Sequence, residues 1–328
     1  MPNPRLSVVV PTHNGAETLA QCLDALRASS YPPNEIIVVD DCSTDHSADI
    51  ATRWGCRVIR LERNEGAARA KNYGARAAQG DVLFFTDDDV VVARDALAQL
   101  VENYSDKKLA GVVGLLDSKI PFDDFSSNFK NLWMRFSYAN LPTEGVGLFY
   151  TSIASMRREI FLQLGGFDEN YRGASITEDT EFGQRAWTAG HFIRLDQRVT
   201  AMHLKHYTPR EVLQTDYARA RALTLMRLRK WGEKFYTSVP LFYQLAVPII
   251  FAAIAALMLG FVSPVFLYAS ALLLVTFYVL FFPWFAFLVR ERGAAFALIA
   301  ALVQLVDAIV VGFGMLVAVF EFARGVRY

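Results

Sequence analysis

The sequence of 328 residues has few cysteines and no excess of either charge. Its three cysteines are Cys22, Cys42 and Cys56, an odd number without paired spacing, which argues against a disulfide framework. We therefore expect reduced, buried thiols in a cytosolic domain. Lys and Arg together number 33, as do Asp and Glu, so no overall electric field would draw the chain to nucleic acid.

Internal repeats, low-complexity linkers and a signal peptide are also missing. Residues 1–5 lack the charged segment and following apolar run of a signal peptide, and residues 6–10 already have the pattern of a strand. We therefore expect the N-terminal part of the chain to stay on the cytosolic side of a membrane.

Hydrophobic residues, by contrast, are abundant, at 53% of the chain with a mean hydropathy of +0.23. The excess lies almost entirely after Val239, which marks a boundary in composition. We predict three parts of the chain. They are an α/β domain over residues 1–205, a basic amphipathic segment over residues 206–238, and a transmembrane region with about three helices over residues 239–328.

Short apolar strands alternate with helices in the first part of the chain. The predicted strands are residues 6–10, 35–39, 57–61 and 81–86, and the helices between them are residues 16–29, 43–54 and 67–78. Continuous apolar strands of this kind are typical of a parallel sheet covered by helices on both faces. Later strands are predicted at residues 112–116, 151–156, 193–195 and 199–203, with a helix at 178–189. The sequence therefore predicts an α/β fold with a mostly parallel sheet and flanking helices.

Polar clusters follow three of these strands, at the sheet edge where ligands of such folds bind. They are Thr12–Asn14, Asp40–Asp41 and Asp87–Asp89. Carboxylates two residues apart, as in the last cluster, can share a Mg²⁺ or Mn²⁺ ion that also holds a diphosphate. The alternatives are a solvated acidic turn or a cap on a helix over residues 90–100. Asp40 or Asp41 could accept a hydrogen bond from a nucleotide base, or else cap the helix over residues 43–54.

Further candidate residues lie on the predicted helices and after the last strand. Gly66, Arg69 and Lys71 begin a helix and could bind a phosphate, although a capped surface helix would have the same pattern. Glu178 and Asp179 occupy the first turn of another helix. One of them could remove a proton from an acceptor hydroxyl, or both could simply complement the helix dipole.

Histidines that follow the last strand are candidate ligands as well. His203, and less strongly His206, could bind a metal or a diphosphate, and the alternative is a structural role.

The composition of the C-terminal third predicts a membrane region. Residues 204–236 contain eight Lys and Arg against three acids, and the apolar side chains fall near one helical face, which suits an interfacial helix. The apolar stretches that follow are residues 241–259, 264–289 and 294–322, each long enough to cross about 30 Å of hydrocarbon.

The charges between and after these stretches bear on topology. Arg290 and Arg292 favour a cytosolic loop, and three spans would then place residue 328 outside, which Arg324 and Arg327 disfavour. Gln304 and Asp307, inside the last stretch, could meet an acceptor head group or only pack helices together.

Six motifs occur in a characteristic order. They are VVVPTHNGAETL (8–19), VVDDCSTD (38–45), NEGAARAKNYGARAAQGD (64–81), TDDD (86–89), GGFDE (165–169) and TEDTEFGQRAWTAG (177–190). Over residues 5–205 the chain thus resembles glycosyltransferase family 2, the inverting enzymes with the GT-A fold. The resemblance implies a nucleotide-diphosphate-sugar donor, with UDP favoured, and a Mg²⁺ or Mn²⁺ ion.

The resemblance also implies roles for individual residues. Asp179 matches the catalytic base, with Glu178 beside it, and the metal is expected at Asp87, Asp89 and His203. Asp41 matches the base-binding aspartate, with Pro11 and Asn14 lining the same pocket. The nucleotide-sugar is expected to meet Pro11, Thr12, Asn14, Glu17, Asp40, Asp41, Gly66, Arg69, Lys71, Asn72 and Asp88.

The motif QxxRW of processive polymer synthases is missing from residues 205–240, which makes processive synthesis doubtful. The layout is more similar to members that glycosylate a lipid such as polyprenyl phosphate. A lipid phosphate would then meet the basic segment at Arg219, Arg221, Arg227 and Arg229.

We therefore expect a multi-pass protein of the cell inner membrane, with a cytoplasmic catalytic domain and a lipid or lipid-linked acceptor. The alternatives are elongation of a polysaccharide or glycolipid precursor, and a non-catalytic, transferase-like membrane scaffold. The sequence does not indicate an oligomeric state.

Overall fold

A computed structural model of the protein describes residues 4–171 and 177–328. The chain divides into two compact units. The N-terminal unit comprises the chain up to Pro121 with Tyr138–Lys205 and Lys234–Tyr236, and the C-terminal unit comprises Phe122–Ser137, His206–Glu233 and Thr237–Tyr328. The sequence placed residues 122–137 in the first domain, whereas in the structure they pack with the C-terminal helices.

The N-terminal unit is built on one eight-stranded sheet in the order β3-β2-β1-β4-β7-β6-β8-β5. The strands are β1 (Leu6–Thr12), β2 (Glu35–Asp40), β3 (Arg57–Arg60), β4 (Val82–Phe85), β5 (Val90–Val92), β6 (Leu109–Leu116), β7 (Ala154–Arg157) and β8 (Phe192–His203). The first four strands along the chain are parallel, as predicted. Strand β7 is antiparallel to β4 and β6, and β5 is antiparallel to β8, so the complete sheet is mixed.

The described helices are distributed over both units. They are α1 (Leu19–Arg27), α2 (Ser47–Arg53), α3 (Ala67–Ala77), α4 (Ala96–Glu102), α5 (Phe125–Ala139), α6 (Arg158–Gln163), α7 (Glu178–Thr188), α8 (Pro209–Arg229), α9 (Leu241–Leu259), α10 (Val265–Leu280), α11 (Phe282–Arg292) and α12 (Ala294–Ala323).

Each face of the sheet carries its own hydrophobic core. Successive side chains of β1 alternate between the faces, so Val8 lies in one core with Leu23 of α1, and Val9 lies in the other with Ala75 of α3. Both cores are fully buried, which explains why the strands are continuous apolar runs.

Several elements differ from those that the sequence predicted. Helix α2 begins at Ser47, because Asp40 and Asp45 accept hydrogen bonds from the backbone N–H groups of Ser43 and Ser47 and hold residues 43–46 in a turn. The two predicted late strands form one long strand, β8. Strand β5 and helix α5 were not predicted.

The cysteines also differ in part from expectation. All three are free thiols, but only Cys22 is buried, whereas Cys42 and Cys56 are partly exposed.

The C-terminal unit holds the apolar helices. By length and composition alone, α9 and α12 are long and apolar enough to cross a membrane, and the α10–α11 pair would be a third candidate if it acted as one span. A bend of 52° separates α10 from α11, where the sequence predicted one continuous span. Pro283 in the first turn of α11 explains the break, because proline cannot continue the hydrogen bonding of the preceding helix.

Candidate active site

The acidic cluster Asp87–Asp89 follows β4 at the centre of the sheet. Asp87 accepts a hydrogen bond from Ser152 Oγ at 2.6 Å, and Asp88 accepts one from Thr12 Oγ1 at 2.5 Å. A Cβ atom on Gly15 would lie only 2.0 Å from Asp88 Oδ2, so glycine at this position allows the loop after β1 to approach the cluster. The loop after β1 and the segment before β7 therefore converge on these carboxylates.

Asp88 and Asp89 have different electrostatic environments. Burial raises the pKa of Asp88 to about 7, opposed by the Thr12 hydrogen bond and reinforced by the charges of Asp89 and Asp87. Burial also raises the pKa of Asp89, but the positive charges of His203 and Lys205 outweigh it, so the pKa of Asp89 lies below its ordinary value. His203 Nε2 lies 3.2 Å from Asp89 Oδ1.

Lys71 of α3 is buried among carboxylates. Its Nζ donates to Glu178 Oε1 at 2.9 Å and to Thr151 Oγ1 at 2.6 Å, and lies 3.9 Å from Asp87 Oδ1. Burial lowers the pKa of Lys71, but Glu178 and Asp87 outweigh it and keep the pKa above its ordinary value. These contacts connect α3, α7 and the end of β4, and the Lys71 side chain is only 4% exposed.

The two acids at the start of α7 have different surroundings. Glu178 is buried against Lys71, whereas Asp179 is partly exposed and accepts a hydrogen bond from the backbone N–H of Thr180 at 2.6 Å. Of the two carboxylates, Asp179 is therefore the one that a substrate can approach.

Asp40 and Asp41, at the end of β2, are both buried and bonded to the backbone. The two carboxylate oxygens of Asp41 accept hydrogen bonds from the N–H groups of Glu65 and Gly66, at 2.7 and 2.8 Å. Asp40 accepts one from the N–H of Ser43 at 2.9 Å. Asp41 thus fixes the turn into α3, where Gly66 has a φ of +89° that favours glycine.

Around this edge, the remaining predicted nucleotide ligands differ in exposure. Asn14 is exposed with a φ of +58°, and its Oδ1 accepts a hydrogen bond from the N–H of Thr44 at 2.8 Å. Pro11 is half-buried, and Glu17 is exposed.

Arg69 and Asn72 of α3 contact the GGFDE turn, residues 165–169. Arg69 forms ion pairs with Glu65 at 3.0 Å and Glu169 at 3.1 Å. Asn72 is buried, and its amide group both donates to and accepts from the backbone of Phe167, at 2.9 and 2.8 Å. These contacts give Asn72 the role of holding the turn against α3.

The sequence analysis did not single out Thr151 and Ser152, which contact Lys71 and Asp87. They lie in a short 3-10 helix just before β7, in a segment that the sequence predicted as strand. The sequence signal that could have identified them is the presence of two polar residues at the start of an otherwise apolar predicted strand.

The basic residues predicted to meet a lipid all have partners within the C-terminal unit. Arg219 contacts the sulfur of Met134, Arg221 pairs with Glu321, Arg227 donates to the carbonyl of Glu233, and Arg229 stacks on Tyr328. His206 lies 3.3 Å from Asp124 in the same unit.

A metal site at the acidic cluster would depend on substrate oxygens. Within residues 4–171 and 177–328, no three His, Cys, Asp or Glu side chains are arranged to hold a metal ion, and His203 pairs with Asp89 instead. Asp87 and Asp89 nevertheless fit Mg²⁺ or Mn²⁺, since Mg²⁺ is usually bound through one or two carboxylates together with substrate phosphates and waters. The two carboxylates would therefore supply some of the ligands of the metal ion, and the oxygens of a diphosphate would supply others.

The family model for "Glycosyl transferase family 2" matches residues 7–165. The O-antigen chain rhamnosyltransferase WbaN of Salmonella anatum is 26% identical over 225 residues, which is 64% of this chain and 70% of that protein. The glycosyltransferase GlyG of Streptococcus pneumoniae is 33% identical over 129 residues, which is 38% of this chain and 42% of that protein.

A solved structure is similar over nearly the whole chain. The mannosyltransferase PcManGT from Pyrobaculum calidifontis, in complex with GDP-Man and Mn²⁺, aligns with 96% of this chain and 87% of its own, with a TM-score of 0.61. At 22% identity, this likeness concerns the fold.

Proposed function

Because this chain is a glycosyltransferase, with a family 2 domain over residues 7–165 and a GT-A-like fold, we propose that it uses a nucleotide-diphosphate-sugar and a divalent cation to glycosylate a lipid or lipid-linked acceptor at a membrane. The observation that supports this best is the network of ion pairs and hydrogen bonds at the end of β4. There Asp87, Lys71 and Glu178 join the acidic cluster to the start of α7, which carries Asp179.

The donor would bind at the loops that follow β1, β2 and β4. Asp87 and Asp89, with His203 beside them, would hold Mg²⁺ or Mn²⁺, which would supply positive charge to the departing diphosphate. PcManGT was solved with Mn²⁺, which supports a divalent cation. The nucleoside, with UDP favoured, would lie against Pro11, Asn14 and the turn that Asp41 holds.

Asp179 is the proposed general base. Its carboxylate would take the proton from an acceptor hydroxyl while the acceptor oxygen forms a bond to the anomeric carbon and the bond from that carbon to the diphosphate breaks. Attack opposite the leaving group inverts the configuration, and no covalent enzyme intermediate is needed. Lys71 holds Glu178 in place next to this base through a hydrogen bond.

The C-terminal helices support the proposed acceptor. Apolar helices beside a basic helix suit a substrate whose lipid part remains in a bilayer. A protein of the cell inner membrane with a cytoplasmic catalytic domain follows from this proposal.

A second candidate is elongation of a glycan precursor. The similarity to WbaN, an O-antigen chain rhamnosyltransferase, favours it. The two candidates predict different products, since transfer to polyprenyl phosphate adds one sugar per acceptor and elongation acts on an existing glycan.

The proposal can be tested with the detergent-solubilised full chain and a panel of nucleotide-sugars. Release of nucleoside diphosphate is measured with Mn²⁺, with Mg²⁺ and with EDTA, with and without membrane lipid extract. We expect lipid-stimulated release that EDTA and Asp89→Ala both abolish. Asp95→Ala, at an exposed acid outside the cluster, is the matched control. A chain that binds nucleotide but releases no diphosphate from any donor would contradict the proposal.

Asp179→Asn separates the two acceptor classes. A hydroxyl acceptor needs a base, so we expect its kcat to fall by about 10²–10⁴-fold. A lipid phosphate is already ionised, and its rate should fall far less. Unchanged binding of the nucleotide, measured by calorimetry, confirms that the variant is folded, and an undiminished rate with every acceptor would exclude Asp179 as the base.

A further inference from the structure

Helices α8 and α12 of the C-terminal unit lie side by side and run in the same direction. Four contacts establish the register along them. They are the apolar cavity shared by Val212 and Val306, the approach of the Tyr217 carbonyl to Gly314, the ion pair of Arg221 with Glu321, and the stacking of Arg229 on Tyr328. Helix α8 therefore packs beside α12 from about residue 302 onwards.

The charges of α8 exclude it from the hydrocarbon core of a bilayer. Its 21 residues include five arginines, one glutamate and one aspartate. Each such charge is strongly unfavourable at the centre of a membrane helix. Among the described residues, the ion pairs of Arg221 with Glu321 and of Asp216 with Lys130 offset part of this cost.

A helix that is accompanied by α8 cannot cross the bilayer without taking α8 with it. The part of α12 before residue 302 covers residues 294–301, which span about 12 Å at 1.5 Å per residue. The hydrocarbon core is about 30 Å thick. We infer that α12, although long and apolar enough to cross, lies in the membrane interface beside α8, with one face on the acyl chains.

Six exposed apolar side chains of α12 form the face that this placement requires. They follow one another at spacings of four, four, seven, three and four residues, so they fall on one side of the helix, as in an interfacial helix. The stripe consists of Leu298, Leu302, Val306, Phe313, Leu316 and Phe320. The opposite face is buried in the unit and includes the polar residues Gln304 and Asp307.

Charge favours a lipid bilayer as the partner of this stripe. The arginines of α8 outnumber its acids by five to two, and Arg324 and Arg327 follow the end of α12. Basic residues beside an apolar stripe match anionic head groups above acyl chains. The surface therefore fits a membrane leaflet that contains anionic lipid.

This placement has a consequence for topology, and it rests on the membrane association proposed for the acceptor. Val326, after α12, should be on the same side of the bilayer as α8. Three spans counted from the sequence would put it on the opposite side.

Cysteine labelling tests the sidedness. A background with Cys42→Ser and Cys56→Ser keeps only the buried Cys22, and single cysteines are then introduced as Val326→Cys and Gln214→Cys, both at exposed positions. Sealed vesicles of either orientation are treated with a membrane-impermeant maleimide. We expect both cysteines to react from the same side, and the background to remain unlabelled.

Labelling of Val326→Cys from the opposite side to Gln214→Cys, or protection of Gln214→Cys from both sides, would overturn the inference. Fractionation of the same preparation distinguishes a failure of this inference from a failure of the proposed function. An active chain found only in the soluble fraction would remove the membrane association and this inference with it, and leave the transferase activity standing.

Depth measurements give a second, independent test that does not depend on sidedness. Spin labels are placed one at a time along the stripe, in nanodiscs of phosphatidylcholine and phosphatidylglycerol. An interfacial helix places every label about 5–10 Å below the head groups. A profile that deepens to the bilayer centre near residue 309 and becomes shallow again towards residue 320 would show that α12 crosses.

Discussion

At the scale of single residues, the site depends on how buried charges are matched. Lys71 is enclosed by Glu178, Asp87 and Thr151, and Asp88 is partly buried against Thr12. A buried charge is tolerated only when it is paired and hydrogen-bonded. Some of the residues predicted as ligands, Lys71 among them, therefore also hold their neighbours in place.

Replacing Lys71 tests this role directly. Lys71→Met leaves Glu178 buried without its partner, and we expect the free energy of unfolding to fall by about 3–5 kcal/mol. Unfolding is followed in denaturant without nucleotide or metal, so that the loss is separated from ligand binding. Lys119→Met, at an exposed lysine, is the matched control and should change little. A Lys71→Met protein as stable as the control would contradict a structural role for the buried pair.

At the scale of elements, hydrogen-bonded carboxylates fix the long strand β8. Asp196 accepts hydrogen bonds from Arg198 at 2.7 Å and from Asn103 at 2.8 Å. Burial raises the pKa of Asp196, but these hydrogen bonds outweigh it, and the pKa lies below its ordinary value. The carboxylate therefore stabilises the folded state wherever it would be ionised in the unfolded chain.

The sign of this linkage sets a pH dependence. The contribution of Asp196 is present above its ordinary pKa of 3.8 and disappears as the pH falls through and below that value. We expect Asp196→Asn to cost about 1–3 kcal/mol of unfolding free energy at pH 7 and progressively less below pH 4. Denaturation of both proteins across this range is the measurement. A cost that does not change with pH would show that the hydrogen-bond geometry, and not the charge, is what matters.

A second element-scale feature joins α5 to α8. The Nζ atom of Lys130, fully buried, donates to Asp216 Oδ1 inside the C-terminal unit. Breaking a buried pair is costly, whereas replacing both partners with apolar residues is often neutral. We expect Lys130→Met alone to lower the unfolding free energy by about 3–5 kcal/mol, and Lys130→Met with Asp216→Leu to recover most of it.

Thermal unfolding in detergent, followed by tryptophan fluorescence, compares the two proteins with the wild type. Equal losses in the single and double variants would mean that apolar packing, and not the unpaired aspartate, limits stability.

At the scale of the whole molecule, the units are not consecutive stretches of chain. Residues 122–137 and 206–233 belong to the C-terminal unit, where Phe129 and Leu132 of α5 pack with Ala246 of α9 in one apolar cluster. Segments that lie within the first 233 residues of the chain therefore form part of the core of the C-terminal unit.

This arrangement predicts the behaviour of a truncated chain. A protein ending at residue 236 retains α5 and α8 but lacks α9 and α12, and its apolar cluster would be exposed. We expect it to aggregate without detergent, as measured by size-exclusion chromatography against the full chain in detergent. A monomeric, active truncated protein would show that α5 and α8 do not need the C-terminal helices.

Much of the fold was predictable because its signals are local. The four parallel strands follow from continuous apolar runs, and the candidate site follows from carboxylates placed where those strands end. The apolar C-terminal helices follow from composition alone. Periodicity, strand ends and hydropathy are properties of neighbouring residues, and a sequence displays them directly.

What only the tertiary structure decided depends on contacts between residues far apart in the chain. The antiparallel β7, the burial of Lys71 against Glu178 and the placement of α5 with α9 each join segments that have no local sign of one another. The pairing of α8 with α12 is of the same kind. Hydropathy identifies a helix that can cross a membrane. The charges of the helix packed beside it determine where it can lie, because two packed helices must lie in the same environment.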